Sequence, residues 1–253
     1  MNLITLLSIV ILVISPINKQ PIIIRHDVED SAYLKFANEL PVTKSVVRYN
    51  STDVAGTLIS DQWILSAAHV GETIKEGQKL ILDKDSLEVE KIIIHPGWLE
   101  HGRPEDIALI KLKKRIQNAT TVNFYRDKDE LNKEVIIVGN GDFGTGLTGP
   151  KGNDGKFRAA TNLVDESTEY YLKWKFDDPR KNPDRVTKME GISGPGDSSG
   201  PAFIKLNGKY FIAGISSGQS TKATNGKEGL YGVTEYYTRV SSYIKWIQRT
   251  IKK

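Results

Sequence analysis

An all-β fold closed by one C-terminal helix is what this chain of 253 residues predicts, and three observations carry the prediction. After residue 40 the sequence becomes a series of short apolar runs rich in Val, Ile, Tyr and Phe, separated by Gly, Asn, Asp and Pro, the pattern of strands joined by turns. Helical periodicity stands out only in the last dozen residues, where Ile244, Ile247 and Ile251 share one face and Ser241 or Ser242 can cap the start. With 39% hydrophobic and 26% charged residues the chain can bury a sizeable core.

Taken in order, the elements begin with "LITLLSIVILVIS", Leu3 to Ser15, an apolar run too short to span a bilayer comfortably as a helix. It reads as the core of a signal-like leader covering residues 1–21, so a secreted or periplasmic location is expected. No Lys or Arg precedes it and "PINKQP" offers no small-x-small cleavage site, so a membrane anchor through residues 3–15 stays open. Strands are expected over 54–60, 87–94 and 107–112, and again over 134–139, 202–206, 209–215 and 236–240. The polar stretch "YRDKDELNK" (125–133) has no periodicity and separates two β units, 22–126 and 127–253, the second ending in the helix.

Several chemistries are excluded or disfavoured. Cysteine is absent, which removes disulfides, thiolate metal sites and a cysteine nucleophile. A net charge of +4 spread over 35 basic and 31 acidic residues gives no basic block, and no nucleic-acid partner is expected. Gly139, Gly141 and Gly144 have the spacing of a pyrophosphate cradle, but "TGLTGPKGNDGK" behind them cannot supply the helix that such a cradle needs. His26, His95 and His101 lack a tight ligand spacing, and the acidic run 83–90 reads as a solvated strand and turn. No metal and no cofactor is expected.

Three fragments carry chemistry. His69 follows an apolar strand in "WILSAAHV", and Asp106 heads the apolar strand "DIALIKL", where burial of a carboxylate is costly unless a partner holds it. A histidine is such a partner. In "GPGDSSGPA", Gly194 to Ala202, glycines permit a turn whose amides can approach a bound carbonyl. A serine there is a weak nucleophile unless a base takes its proton, and the base works best when a third group fixes its tautomer. His69, Asp106 and Ser198 fill those three roles.

Over nearly all of residues 41–250 the sequence resembles the trypsin and chymotrypsin-like serine peptidases, through "AGTLISDQWILSAAH", "IIIHPGW", "DIALIKL", "VGNG", "GDSSGP", "AGISSG" and "YYTRVSSYIKWI". "RAATN", "FDDP" and "MEGISGPGDSSGPA" resemble a cysteine-poor, bacterial-type branch. The resemblance implies two antiparallel β-barrels of the chymotrypsin-like type with a C-terminal α-helix. It implies a monomeric endopeptidase acting on protein or peptide substrates, with Ser198 as nucleophile, His69 as general base and acid, and Asp106 as the group that orients the histidine.

By the same resemblance Gly196 and Ser198 donate the oxyanion-hole amides, and Ser216 flanks the aspartate and the substrate backbone with Gly218. Ile192 falls at the base of the primary pocket, while Glu235 can put a carboxylate on its wall, so apolar and basic preferences both stay open. Ser199 stands where the family has glycine. A positive φ there strains it by about a kilocalorie per mole or more; otherwise its side chain lines the leaving-group side. Val70 and Gly194 occupy places where many relatives have half of a disulfide. Many relatives also pair a freed N-terminal amine with the aspartate before the nucleophile, here Asp197. A binding protein that keeps the fold without turnover is the alternative, motivated by Ser199.

Overall fold

A computed structural model describes residues 22–101 and 103–252. The apolar run 3–15 therefore lies outside the described residues. The first elements are a short strand β1 (Ile22–Ile24) and a helix α1 (Asp30–Glu39). The sequence reading had no helix here: α1 buries only Tyr33 and Ala37, too sparse a stripe to show periodicity, and no side chain caps its start.

Six strands then form a closed antiparallel barrel: β2 (Val46–Arg48), β3 (Val54–Leu58), β4 (Trp63–Ser66), β5 (Lys79–Leu82), β6 (Asp85–Ile94) and β7 (Ala108–Leu112). A one-turn helix α2 (Ala68–Gly71) follows β4, and α3 (Pro96–His101) follows β6. Strand β7 shows why its sequence is almost continuously apolar: Ile110 points into the barrel with Val47, Leu58 and Leu80, while Leu109 points outward against Ile136 and Phe203 of the second half. Both faces are buried.

The second half is an open eight-stranded sheet with a smaller one packed on it. The main sheet holds β8 (Asn123–Phe124), β9 (Glu134–Gly139), β12 (Arg158–Leu163), β13 (Glu166–Ser167), β14 (Tyr171–Lys175), β16 (Pro201–Leu206), β17 (Lys209–Ser220) and β18 (Thr234–Arg239). Its curved path runs β12-β9-β16-β17-β18-β14-β13, with β8 added to β17. The smaller sheet places β1 between β10 (Phe143–Thr145) and β15 (Gly191–Ile192), with β11 (Gly149–Gly152) at the edge. The helix α4 (Val240–Ile251) closes the chain, turning Val240, Tyr243 and Ile247 into the apolar layer between the halves. The architecture is the chymotrypsin-like one.

Two features differ from the sequence reading. Residues 22–24 belong by pairing to the second half, since Ile23 aligns with Gly144 on one side and Ile192 on the other. Nothing local announces that partner. The polar segment 125–133, read as a linker, is pinned: buried Glu130 accepts from Arg239 and from the Ser241 hydroxyl at 2.8 Å. The serine noted as a possible cap thus serves that ion pair, and α4 has no side-chain cap.

Candidate active site

His69 sits in α2, directly after β4, and Asp106 just before β7; the pairing of β4 with β7, Ser66 opposite Ala108, brings them together. The His69 Nδ1 lies 2.7 Å from Asp106 Oδ2, and the His69 amide donates to Asp106 Oδ1 at 3.0 Å. An ionised carboxylate only accepts, so Nδ1 carries a hydrogen, and in the neutral ring the lone pair is then on Nε2. Burial, the largest influence on Asp106, pushes its pKa up, but hydrogen bonds from His69 and Ser217 and the histidine charge outweigh it and hold the carboxyl below its ordinary value. The fully buried aspartate thus stays ionised beside its histidine.

A third donor reaches Asp106 from the other half. It is Ser217, whose hydroxyl donates to Oδ2 at 2.6 Å, rather than the Ser216 expected from the sequence. The register explains the difference: Ser216 aligns with Tyr237 and Gly218 with Tyr236, so Ser217 is the extra residue of a bulge in β17. A bulge breaks the alternation that residue counting assumes. The Ser216 hydroxyl turns instead toward Ser193, 3.4 Å away.

Ser198 is half-buried in the turn between β15 and β16. Among the described residues its hydroxyl makes no hydrogen bond to His69, and in unliganded sites such bonds often tighten only with substrate. The turn itself is gripped from the first barrel: the Val54 amide donates to Gly196 O at 2.9 Å, and the Ala67 amide donates to Ser199 Oγ at 2.8 Å. Gly196 has φ +92°, and a Cβ there would meet Asp53 Oδ1 at 2.7 Å, so only glycine fits. Among the described residues neither the Gly196 nor the Ser198 amide has an acceptor, which leaves two donors side by side. Ser199 has φ +68°, the strained alternative.

Asp197 is turned inward and buried, accepting from the amides of Gly141 at 2.6 Å, Gly194 at 2.9 Å and Ile22. Burial is the main cause that lifts its pKa to about 7. Ile22, a β-branched residue, carries φ +61°.

The residues assigned to substrate contact separate into two groups. Ile192 is fully buried, paired with Ile23 in the core of the second half. Glu235 is fully buried beside the nucleophile turn: the Ser193 hydroxyl donates to Oε2 at 2.8 Å, while Oε1 has no partner. Gln219, aligned with Glu235 across β17 and β18, directs its amide N–H to Ser193 O at 2.8 Å and leaves its own Oε1 without a partner. Burial pushes the Glu235 pKa up to about 8, opposed by hydrogen bonding from Ser193. Gly218 lies beneath the guanidinium of Arg103, whose Nη1 is 2.6 Å from where a Cβ would stand. Neither Gln219 nor Arg103 was singled out from sequence; each matters through a partner distant along the chain.

A cavity of about 800 Å³ is lined by Trp63, Ile92, Ile94 and Trp246, and His69 is not part of its wall. Comparison with known proteins identifies a family. A protein-family model described as Trypsin matches residues 35–247. Trypsin-4 of Rattus norvegicus is 32% identical over 225 residues, covering 79% of this chain and 81% of its own. Chymotrypsin-like elastase family member 1 of Macaca fascicularis is 29% identical over 214 residues, 78% of this chain and 77% of its own. Granzyme B of Rattus norvegicus is 28% identical over 239 residues, 88% and 86% of the two chains.

Proposed function

Because this chain belongs to the trypsin family of serine peptidases, we propose that it is an endopeptidase that cleaves peptide bonds through Ser198, His69 and Asp106. The observation that carries the reading is the buried, ionised Asp106 holding His69 Nδ1 at 2.7 Å, which aims a basic Nε2 away from the aspartate. Ser198 Oγ attacks the carbonyl carbon while its proton passes to Nε2. The oxyanion meets the free amides of Gly196 and Ser198. The imidazolium then gives its proton to the leaving nitrogen, the C–N bond breaks, and an ester on Ser198 remains. Water, deprotonated by His69, attacks that ester and releases the acid and the serine.

The same reading extends to the substrate. Glu235 Oε1 and Gln219 Oε1 are buried without a hydrogen-bond partner, and burial keeps the Glu235 carboxyl protonated near neutrality, so an ammonium or guanidinium brought against it would take the place of that proton. Ile192 contributes its side chain to the core, so the polar group at this site is Glu235, supported by Ser193 and Ser216. On this reading the side chain taken before the scissile bond is a cation that ionises Glu235 as it binds, which favours the basic over the apolar preference. The substrate is a protein or peptide met by a secreted monomer, a location supported by the apolar run 3–15.

The test is labelling with a fluorophosphonate probe. The purified protein should become modified at Ser198, and Ser198→Ala should abolish both labelling and peptide hydrolysis. Labelling that persists in Ser198→Ala removes the assignment.

A further inference from the structure

Ser199 holds a backbone conformation that glycine adopts freely and a side-chain-bearing residue resists, with φ +68° at 1% exposure. The hydroxyl that accompanies this strain is fully used. It accepts from the Ala67 amide at 2.8 Å and lies 3.1 Å from Ser66 Oγ. Ser66 spends its own hydrogen on Ala55 O at 2.7 Å, so in the serine pair it is Ser199 that donates. One donor and one acceptor are thus both satisfied, across the boundary between the two halves.

The positions of these partners give the arrangement its meaning. Ala67 is the residue from which α2 starts, two residues before His69. The Ser199 amide donates to Ser216 O at 3.0 Å, next to Ser217, whose hydroxyl holds Asp106. Ser198 is its immediate neighbour. One residue therefore touches the segments that carry the nucleophile, the histidine and the support of the aspartate, in a chain without a single cysteine to tie the halves together.

We propose that Ser199 is a positioning residue, whose hydroxyl fixes the Ser198 turn against the Ser66–Ala67 segment and so sets the approach of Ser198 to His69. The proposal rests on the serine-peptidase reading above. A glycine here releases the backbone strain but frees the turn to shift, and a displacement of an ångström at a reacting centre can cost about 100-fold in rate.

The experiment compares the wild type, Ser199→Gly and Ser66→Ala in steady-state peptide hydrolysis and in the rate of fluorophosphonate labelling. It is run at a temperature where circular dichroism shows each protein fully folded. Ser199→Gly should lower kcat and the labelling rate by at least ~10-fold while KM stays within about 2-fold. Ser66→Ala, which removes the acceptor but keeps the Ala67 contact, should give a smaller fall in the same direction, and it carries the test if Ser199→Gly fails to fold. A merely structural serine would lower the melting temperature and leave kcat of the folded protein alone. Unchanged kcat in the folded variants of an active wild type overturns the positioning role only, whereas a wild type that neither turns over nor labels at Ser198 overturns the peptidase reading and this inference with it.

Discussion

Replacing Glu235 by Gln should flatten the dependence of stability on pH. The carboxyl is fully buried, one oxygen has no partner, and burial lifts its pKa from the ordinary 4.5 to about 8. That gap of about 3.5 units, at ~1.4 kcal/mol per unit, means that ionising Glu235 in the empty fold costs up to ~5 kcal/mol. Because the folded value is the raised one, the folded chain keeps a proton that the unfolded chain releases. The contribution is complete below about pH 4.5 and is lost as the pH climbs through 8. Asp197 and Glu190, both lifted to about 7 chiefly by burial, move stability the same way; Glu190 does so in both proteins, whereas Asp197 interacts with Glu235, so its coupling enters the difference. The difference between the two curves therefore reports Glu235 together with its coupling to Asp197. Urea unfolding followed by tryptophan fluorescence between pH 5 and 9, in a Ser198→Ala background to prevent self-cleavage, supplies the measurement. The protein with Glu235 should lose ~3–5 kcal/mol more than the Gln variant across that range. A small organic cation such as benzamidinium should restore the loss at pH 9 in the first and not in the second. Parallel curves would refute the reasoning, because they would mean that the buried carboxylate is already compensated.

Two further outcomes follow from buried charges. Arg158 is fully buried and forked onto Asp30 of α1, with Nε–Oδ1 at 2.5 Å and Nη2–Oδ2 at 2.8 Å, and Asp154 adds a weaker contact at 3.2 Å. Asp30→Ala should cost about 2–3 kcal/mol in urea unfolding, below the usual loss for a broken buried pair because Asp154 stays; a cost under ~0.5 kcal/mol would show α1 to be held by packing alone. A chain beginning at Ile22 replaces the strained φ +61° peptide with a free ammonium facing Asp197, whose carboxylate otherwise meets amides. That chain should be more stable above pH 7 and more active in titration of acylated serine than one extended at its N-terminus, and equal stability and activity would count against a role for the amine.

What the sequence made legible was whatever repeats locally. Strand β9 is found over 134–139 as its apolar run predicts, and α4 follows its isoleucine stripe. His69 and Asp106 could be paired from the sequence because each sits in a recognisable local setting, and the structure brings them to 2.7 Å. The rest depended on long-range relations. A bulge moved the Asp106 contact from Ser216 to Ser217, although the two neighbours are identical in type. Glu130 is an ordinary acidic residue of a polar linker until Arg239 arrives from 109 positions away. Whether Ser199 would meet a strained backbone could not be read from the turn, because its amide donates to Ser216 O and its hydroxyl accepts from the Ala67 amide, both distant along the chain.

The absence of cysteine acquires a consequence from the way the cleft is held. Val54 to Gly196 and Ala67 to Ser199 are reversible contacts, so thiol reductants have nothing in this molecule to cut. A chain unfolded completely has no mispaired bridges to reshuffle on its way back. The contacts that hold the two halves together are therefore indifferent to the thiol–disulfide balance of their surroundings.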